Sequence, residues 1–277
     1  MSRRVLVTGG TGKTGRRVAD QLRARGADVR AVARSTNPPL DWTDQDTWGA
    51  ALDGMDALYL ALPDGLGVTG EFMRRATRVG VERVVLLSAR GIATPGYFEN
   101  QQVLASDFSE RERAVKTSGI AWTIVRPGWF MQNFDEGDFL ESVRSGRLEL
   151  PVADGAAAWI NADDIAAVAV TALLDEGHER QTIELSGPEA ISLHHATRMI
   201  SEASGRDVRY VAVSENVYRE KLQAEGLDEQ SIAASLAGLS AIRLGSEAPT
   251  TDGVFQALGR EPSSFNEFVQ NSVDVWR

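Results

Sequence analysis

Short apolar runs alternate with helical patterns in the first half of the chain. Five of these runs, at 4–8, 28–33, 57–61, 83–88 and 121–126, are rich in valine, leucine and isoleucine. Continuous apolar runs of this length are typical of strands that are covered on both faces, as in a parallel sheet with crossover helices. The pattern predicts an α/β protein with a doubly wound parallel sheet, the Rossmann fold.

The segments between these runs have helical periodicity. Gly15, Val18, Ala19 and Leu22 follow the spacing i, i+3, i+4, i+7, which gives a helix one narrow apolar face, and Gly26 is expected to end it. The segments 67–79 and 101–118 supply further crossover helices. The first half therefore contains the strands and helices of a layered sheet.

From about residue 135 the alternation loosens, and proline and glycine become more frequent. We predict a Rossmann core over residues 1–134 and a smaller mixed α/β region over 135–277 that is interleaved with it and binds substrate. Asn161 and Ser192 precede helical patterns and are expected to cap them. A further strand is expected over 208–213.

Composition narrows the class of protein. The chain has 277 residues, a net charge of −10, three histidines and no cysteine, which excludes disulfides, thiolate nucleophiles and Cys-ligated metals. The histidines, at 178, 194 and 195, have no metal-ligand spacing, so we expect no metal. Negative charge opposes nucleic-acid binding, and no apolar stretch is long enough to cross a bilayer. We expect a cytoplasmic protein with a small-molecule substrate and no nucleic-acid or membrane partner. The sequence does not determine the oligomeric state, and a homodimer is one possibility.

A glycine-rich loop lies between the first strand and the first helix. Residues 8–15 read Thr-Gly-Gly-Thr-Gly-Lys-Thr-Gly, with glycines spaced as Gly9-x-x-Gly12-x-x-Gly15. In this context such glycines permit a tight turn and the approach of a pyrophosphate to the helix N-terminus. A Walker A loop would need glycine at position 7, which is Val7. The loop predicts dinucleotide binding through Gly9, Thr11, Gly12, Lys13, Thr14 and Gly15.

The end of the second strand bears on the choice of dinucleotide. An acidic residue there would bind the ribose hydroxyls of NAD, but this chain has Arg34 followed by Ser35. A guanidinium and a hydroxyl favour a 2′-phosphate, so we expect NADP(H), with NAD(H) left open. Lys13 either adds a second positive charge at the cofactor or is simply solvated.

Further motifs carry a family resemblance. They are the glycine loop, Arg34, Ala61-Leu-Pro63 and the stretch 122–133, which reads Trp-Thr-Ile-Val-Arg-Pro-Gly-Trp-Phe-Met-Gln-Asn. With these, the chain resembles the NmrA-like atypical short-chain dehydrogenases over most of its length, as far as Leu258-Gly-Arg-Glu-Pro262. Residues 8–14, Asp41-Trp42 and Gly259-Arg260 are most similar to the agroclavine dehydrogenase-like branch of ergot alkaloid biosynthesis.

The resemblance implies an activity and further site residues. Members of that branch reduce a C=N bond as an iminium, in specialised metabolism. By the same resemblance, Asp41 and Trp42 lie beside the adenine, and Ala61, Leu62 and Pro63 flank the cofactor. Ser88, Pro127 and Gly128 lie near the nicotinamide.

The chain departs from ordinary short-chain dehydrogenases at the catalytic pair. Those enzymes use Tyr-x-x-x-Lys to protonate a developing alkoxide. None of the four tyrosines, at 59, 97, 210 and 218, has a lysine four positions later, and the family alignment puts Leu104 and Phe108 in the two places. An apolar pair cannot relay protons, which favours acceptors that are already electrophilic. The catalytic residues stay unknown.

Several side chains are candidates for the substrate pocket. Trp129, Phe130 and Met131 follow the fifth strand, with Tyr97 in the preceding loop, and they either line an apolar pocket or pack in the core. Ser88, at the carboxyl end of the fourth strand, either contacts a ligand or caps the strand.

Three hypotheses about function follow. The first is an NADP(H)-dependent reductase of a small conjugated or iminium-like compound, which works without Tyr-x-x-x-Lys. The second is a non-catalytic redox sensor that binds NADP and controls a protein partner. The third is a non-redox isomerase or cyclase on the same fold that recruits Asp135 or Glu136 as its acid.

Overall fold

A parallel sheet forms the centre of the molecule. The structure is a computed structural model that describes residues 2–277, apart from the side chains of Gln101, Val103 and Leu104. The strands are β1 Arg4–Thr8, β2 Asp28–Val32, β3 Ala57–Leu60, β4 Arg83–Leu87, β5 Ala121–Pro127, β6 Arg147–Leu150, β7 Ala156–Ala157, β8 Gln181–Leu185, β9 Ile191–Ser192 and β10 Arg209–Ala212. The helices are α1 Lys13–Ala24, α2 Thr47–Leu52, α3 Thr69–Arg78, α4 Gln101–Lys116, α5 Leu140–Arg144, α6 Ala162–Leu174, α7 Leu193–Ser204, α8 Glu215–Ala224, α9 Glu229–Arg243, α10 Gly253–Leu258 and α11 Phe265–Trp276, with a 3₁₀ turn at Met131–Asn133.

The central sheet has the strand order β2-β1-β3-β4-β5-β8, and all its neighbouring strands are parallel. The chain leaves β1 in both directions across the sheet, so the order reverses between β1 and β3. In open α/β sheets, ligands bind beyond the carboxyl ends of the strands at such a switch point. The predicted doubly wound Rossmann fold is confirmed.

Helices cover both faces of this sheet. On one face α1 buries Val18, Ala19 and Leu22, the residues that its periodicity predicted, and it packs against α6 and the sheet. On the other face Phe72 of α3 and Val115 of α4 pack against the sheet. Two covered faces explain why β1, β3 and β4 are apolar at nearly every position.

The second half of the chain completes the sheet and adds a region beside it. Strand β8 pairs with β5, and α6 lies on the sheet, although both follow residue 134. Beside them, β6 pairs with β10 and β7 with β9 over an aromatic cluster that includes Phe134, Trp159, Phe265 and Trp276. The division at residue 134 stays a prediction.

Local capping agrees with the sequence pattern in the second half. The Asn161 side chain accepts a hydrogen bond from the backbone N–H of Asp163 at the start of α6, and Ser192 accepts one from His195 at the start of α7. Helix α2 and strand β8 had not been predicted, since both are short and lack a clear period. No helix within residues 2–277 has the length and apolar character needed to cross a membrane.

Candidate functional site

The glycine loop leads from β1 into α1. Gly9 has φ +63°, and the Gly12 N–H donates to the Gly9 carbonyl at 2.8 Å. A Cβ on Gly15 would lie 2.1 Å from the Gly9 oxygen, so only glycine lets α1 start this close to the loop. In this described stretch no side chain caps α1, and its first turn has no acid. The free N–H groups and the positive helix end are therefore available to an anion.

A cleft of about 580 Å³ opens beside this loop at the switch point of the sheet. We call it the loop cleft. It is bounded by the loop, the segment after β2 and the segment after β3. Its lining residues are Gly9, Thr11, Gly12, Thr14, Val32, Ala33, Arg34, Leu40, Asp41, Trp42, Thr43, Ala61, Leu62, Pro63 and Leu66.

Opposite charges face each other at the outer end of the loop cleft. Asp41 Oδ1 accepts hydrogen bonds from the backbone N–H and the hydroxyl of Thr43, at 2.9 Å and 2.8 Å. These bonds, with a smaller contribution from the charge of Arg34, hold the pKa of Asp41 below its usual value. The cleft thus presents an exposed guanidinium, which suits a phosphate, beside a carboxylate, which suits ribose hydroxyls.

The floor of the loop cleft is held by side chains from distant elements. The Thr8 hydroxyl donates to the Ala61 carbonyl at 2.8 Å and accepts from the Ala61 N–H at 2.8 Å. Buried Arg111 of α4 donates to the carbonyls of Leu62 at 3.0 Å and Pro63 at 2.7 Å. The segment after β3 is therefore a rigid wall rather than a free loop.

A second cavity of about 380 Å³ lies beside the loop cleft, and Ala61 and Leu62 line both. We call it the inner cavity. It lies beyond the carboxyl ends of β4 and β5, where its walls are mostly apolar. Its lining residues are Lys13, Ala61, Leu62, Asp64, Leu87, Ser88, Ala89, Arg90, Phe98, Phe108, Arg111, Pro127, Gly128, Trp129, Phe130, Asn133, Gly238 and Glu247.

Ser88 of the inner cavity is anchored by a buried charge network. Its hydroxyl donates to Glu112 Oε1 at 2.8 Å, and Glu112 also accepts two bonds from Arg126, at 2.7 Å and 2.8 Å, and one from Lys116 at 3.0 Å. Burial alone would raise the pKa of Glu112, but its partners, Arg126 first, outweigh burial and lower it. Glu112 is therefore a carboxylate, and the Ser88 oxygen is left to accept hydrogen bonds from a ligand.

Aromatic packing orients the apolar wall of the inner cavity. The Trp129 ring stacks on Phe139 with centroids 5.9 Å apart and planes 15° apart, and it meets Trp159 edge to face at 6.1 Å. Phe98 and Phe108 also line this cavity. The walls suit a flat, apolar ligand.

The structure brings together most of the predicted site residues. Four of them, among the residues described, do not line either cavity: Gly15 packs under the loop, Ser35 is exposed, and Tyr97 and Met131 are buried. Met131 is 1% exposed within the aromatic cluster, so its side chain serves the core.

Lys13 lines the inner cavity rather than the loop cleft. Its Nζ donates to Asn133 Oδ1 at 2.8 Å, and burial lowers its pKa. The side chain is thus anchored and not freely solvated. Of the two positions expected to replace the catalytic pair, Phe108 lines the inner cavity and stacks on Arg111, whereas the Leu104 side chain lies outside the described residues.

Four charged residues of the inner cavity were missed by sequence reasoning, namely Asp64, Arg90, Arg111 and Glu247. Arg90 comes two positions after Ser88, and the carboxyl end of a central strand was a signal that pointed to it. Glu247 lies in the loop between α9 and α10 and has no motif around it. Its place in the cavity depends wholly on tertiary packing.

Other sequence candidates lie away from both cavities. Glu136 forms ion pairs with Arg16 and Arg17, and Asp135 accepts a hydrogen bond from Ser272 at 2.8 Å. Neither acid is among the described lining residues. Within the part of the chain that the structure describes, no three histidine or acidic residues form a group that could hold a metal ion.

Comparison with known proteins places this site in a family. Residues 9–176 match the model of a family described as NAD(P)H-binding. The chain is 31% identical to an NAD(P)H azoreductase of Xenophilus azovorans over 96% of both chains. It is 30% identical to agroclavine dehydrogenase of Claviceps fusiformis over 98% of both chains.

The fold is also found among solved structures. The NADPH-dependent quinone oxidoreductase QOR2 of Escherichia coli, in its complex with NADPH, superposes with a TM-score of 0.78 at 23% identity, covering 96% of this chain and 99% of that one. The match in fold agrees with the match in sequence. The chain therefore belongs to the NAD(P)H-binding family, as an NAD(P)-dependent oxidoreductase of the NmrA-like, atypical short-chain dehydrogenase type.

Proposed function

We propose that this protein is an NADP(H)-dependent reductase of a small conjugated or iminium-like acceptor, which binds in the inner cavity. The observation that carries the proposal is that the two cavities are adjacent and share Ala61 and Leu62 in their walls. One end offers an anion site at a helix N-terminus, and the other offers a largely apolar pocket. An extended dinucleotide and a flat acceptor together suit such a combined site.

The residues of the loop cleft fit the cofactor. The uncapped N-terminus of α1 suits the pyrophosphate, and the exposed Arg34 suits a 2′-phosphate. A Cβ on Gly15 would collide with the backbone of the loop, so glycine at this position lets the loop pack against the start of α1. When bound, the reduced nicotinamide supplies a hydride. Ser88 supplies an oxygen that accepts hydrogen bonds, and Asp41 a carboxylate for hydroxyls.

The inner cavity favours an acceptor that is already electrophilic. Tyr97 has Gln101 four positions later, and burial raises the pKa of its hydroxyl, so no lysine-activated tyrosinate forms here. Relatives carry the names of an azoreductase and a clavine dehydrogenase. Azo groups are conjugated acceptors, and in this class of compound the acceptor itself delocalises the incoming electron pair. Orientation against the cofactor then supplies much of the rate.

The experiment measures cofactor binding and turnover separately. Calorimetry with NADPH and NADH tests the loop cleft. Initial rates of NADPH oxidation with an azo dye, a quinone, a cyclic iminium and a simple ketone test the inner cavity. We expect tighter binding of NADPH, turnover with at least one conjugated or iminium acceptor, and a ketone rate at least about 100-fold lower. Oxidation of the ketone at an equal rate, or none with any acceptor, contradicts the proposal.

A matched pair of variants connects turnover to the cavity. Trp129→Ala removes an apolar wall of the inner cavity, whereas Phe255→Ala removes an aromatic ring that is 51% exposed on α10. We expect kcat/KM for a flat acceptor to fall about 10-fold in the first variant, a loss of about 1.4 kcal/mol, and to stay unchanged in the second. Equal effects would place the acceptor elsewhere.

A further inference from the structure

Arg90 and Glu247 line the inner cavity, and Tyr97 is buried beside them. Arg90, Tyr97 and Glu247 are 6%, 7% and 3% exposed. Over the described residues, Nε and Nη1 of Arg90 and Oε2 of Glu247 meet no partner at hydrogen-bonding geometry. Buried polar groups nearly always have partners, because an unpaired one is costly. The three unpaired atoms of Arg90 and Glu247 therefore point to a group that joins them from the cavity.

The fold makes room for the Glu247 carboxyl group. A Cβ on Gly128 would lie 2.6 Å from Glu247 Oε2, so glycine after β5 leaves the space that the carboxyl occupies. The Glu247 backbone is held on both sides, since its N–H donates to Ala241 at 3.3 Å and its carbonyl accepts from Ala158 at 2.9 Å. The carboxyl is thus fixed on the cavity wall beside Gly128.

The burial of Glu247 favours its protonated form. Burial raises the pKa of Glu247, and Glu184 raises it further. Tyr97, Arg90 and the Trp129 backbone N–H act in the opposite direction but do not cancel the effect of burial. Arg90 itself has its Nε 3.8 Å from Glu184 Oε2, too far for a hydrogen bond. Burial in the cavity wall therefore favours the form of Glu247 that carries a proton.

Other titratable groups on the cavity wall are less suited to donate a proton to a ligand. Asp64 is 67% exposed at its side chain and accepts a hydrogen bond from Arg111 at 2.9 Å. Lys13 is bonded to Asn133. Glu247 is the buried acid among the described lining residues.

We propose that Glu247 is the general acid of the reduction. This rests on the proposed function. Hydride from the reduced nicotinamide forms a bond to carbon or nitrogen of the acceptor, the π-electron pair moves to its oxygen or nitrogen, and that atom takes the proton of Glu247 as the O–H bond of the acid breaks. The Glu247 carboxylate that remains lies near Arg90 and regains its proton from solvent. Tyr97, which does not line the cavity, is a positioning residue.

Charge on the acceptor provides a discriminating test. A neutral azo dye or enone needs both hydride and proton, whereas a permanently cationic iminium becomes neutral by hydride alone. Glu247→Gln should lower kcat for a neutral acceptor at least about 100-fold and change kcat for the cation less than about 3-fold. Glu202→Gln, an exposed glutamate on α7, is the matched control and should leave both rates unchanged. Equal losses with both acceptors, or no loss with the neutral one, overturn the proposal.

Infrared spectroscopy tests the proton without any turnover. At pH 7 the difference spectrum of wild type minus Glu247→Gln should contain the C=O band of a protonated carboxyl group, with and without NADPH. The corresponding spectrum for Glu202→Gln should lack it. Absence of the band from the first spectrum overturns the proposal even if the protein is a reductase. Presence of the band in a protein that reduces no acceptor would refute the proposed function alone.

The pH dependence tests the role of Tyr97. The groups that face Glu247 are Tyr97, Arg90 and Glu184, with the Trp129 N–H. Since the Tyr97 hydroxyl lowers the pKa of Glu247, Tyr97→Phe should move the infrared titration of Glu247 and the alkaline limb of kcat for a neutral acceptor to higher pH. An unshifted titration in a variant that binds NADPH normally would show that Tyr97 does not position this acid.

Discussion

The loop cleft and the inner cavity are neighbours, but they are built in different ways. The loop cleft begins with one continuous segment, residues 8–15, which leads into an uncapped helix end. The inner cavity collects side chains from as far apart as Lys13 and Glu247. The glycine loop therefore depends on one continuous segment of chain, whereas the inner cavity depends on contacts that exist only in the folded chain.

The two cavities also differ in the solvent exposure of their charged groups. In the loop cleft the charges of Arg34 and Asp41 are close to solvent, where screening limits each interaction. Behind the inner cavity Glu112 is buried and neutralised by Arg126, and Glu247 is buried without a hydrogen bond to its Oε2 within the described chain. Substitutions at the loop cleft should change cofactor affinity, and those at the inner cavity should change stability or turnover.

The largest expected effect comes from a substitution in the glycine loop, which borders the loop cleft. Gly15→Ala would place a Cβ 2.1 Å from the Gly9 carbonyl oxygen and so must displace the loop or α1. We expect NADPH affinity to fall at least about 100-fold, or about 3 kcal/mol, by calorimetry. Gly49→Ala in α2, where a Cβ meets nothing within 4 Å, is the control. Normal affinity in Gly15→Ala would mean that the loop does not hold the cofactor.

The next effect is a loss of protein stability when the buried charge network behind the inner cavity is disrupted. Glu112→Gln leaves Arg126 without its buried carboxylate, so we expect the free energy of unfolding to fall by about 2 kcal/mol in denaturant titrations at pH 7. Because the folded-state pKa of Glu112 is lowered, its contribution is complete above the unfolded value near 4.5 and is lost as pH falls through the folded pKa. The difference between wild type and variant should therefore shrink in acid. Glu141→Gln, at a side chain 84% exposed, should show no such difference.

A smaller effect tests the choice of cofactor. Arg34→Ala should weaken NADPH about 10-fold, or about 1.4 kcal/mol, and leave NADH within about 2-fold, because only a 2′-phosphate needs the guanidinium. Arg78→Ala on α3, also exposed, controls for loss of surface charge. A parallel loss for both cofactors would assign Arg34 to general electrostatics.

The smallest effect tests whether Ser88 acts in turnover or in cofactor binding. Ser88→Ala removes the oxygen that Glu112 holds in place at 2.8 Å. We expect kcat to fall about 5-fold, or about 1 kcal/mol, with the Kd for NADPH changed less than about 2-fold. A change in Kd alone would mean that Ser88 belongs to cofactor binding rather than to turnover.

Much of the first half of the fold was predictable, for local reasons. The runs that became β1, β3, β4 and β5 are continuous and apolar, and α1 has one clear apolar face. Helix α2 has only six residues, too few for its period to be visible. Strand β8 reads Gln-Thr-Ile-Glu-Leu, and its pairing with β5 is a long-range contact that no local pattern encodes.

Within the site, Gly9, Gly12 and Arg34 could be found because their positions follow directly from the order of strand, turn and helix. The sequence could not show that Trp129 lines the cavity whereas Met131 packs in the core. Adjacent residues after a strand end point to different sides, and only packing shows which of them reaches the cavity.

The sequence by itself determined the dinucleotide end of this protein, because backbone N–H groups and a helix dipole depend on a few consecutive residues. Only tertiary structure placed Glu247 in the inner cavity, where it is buried against Gly128 across more than a hundred residues of chain. Burial raises the pKa of Glu247, and because residues distant in the sequence bury it, no neighbouring residue in the sequence records that change.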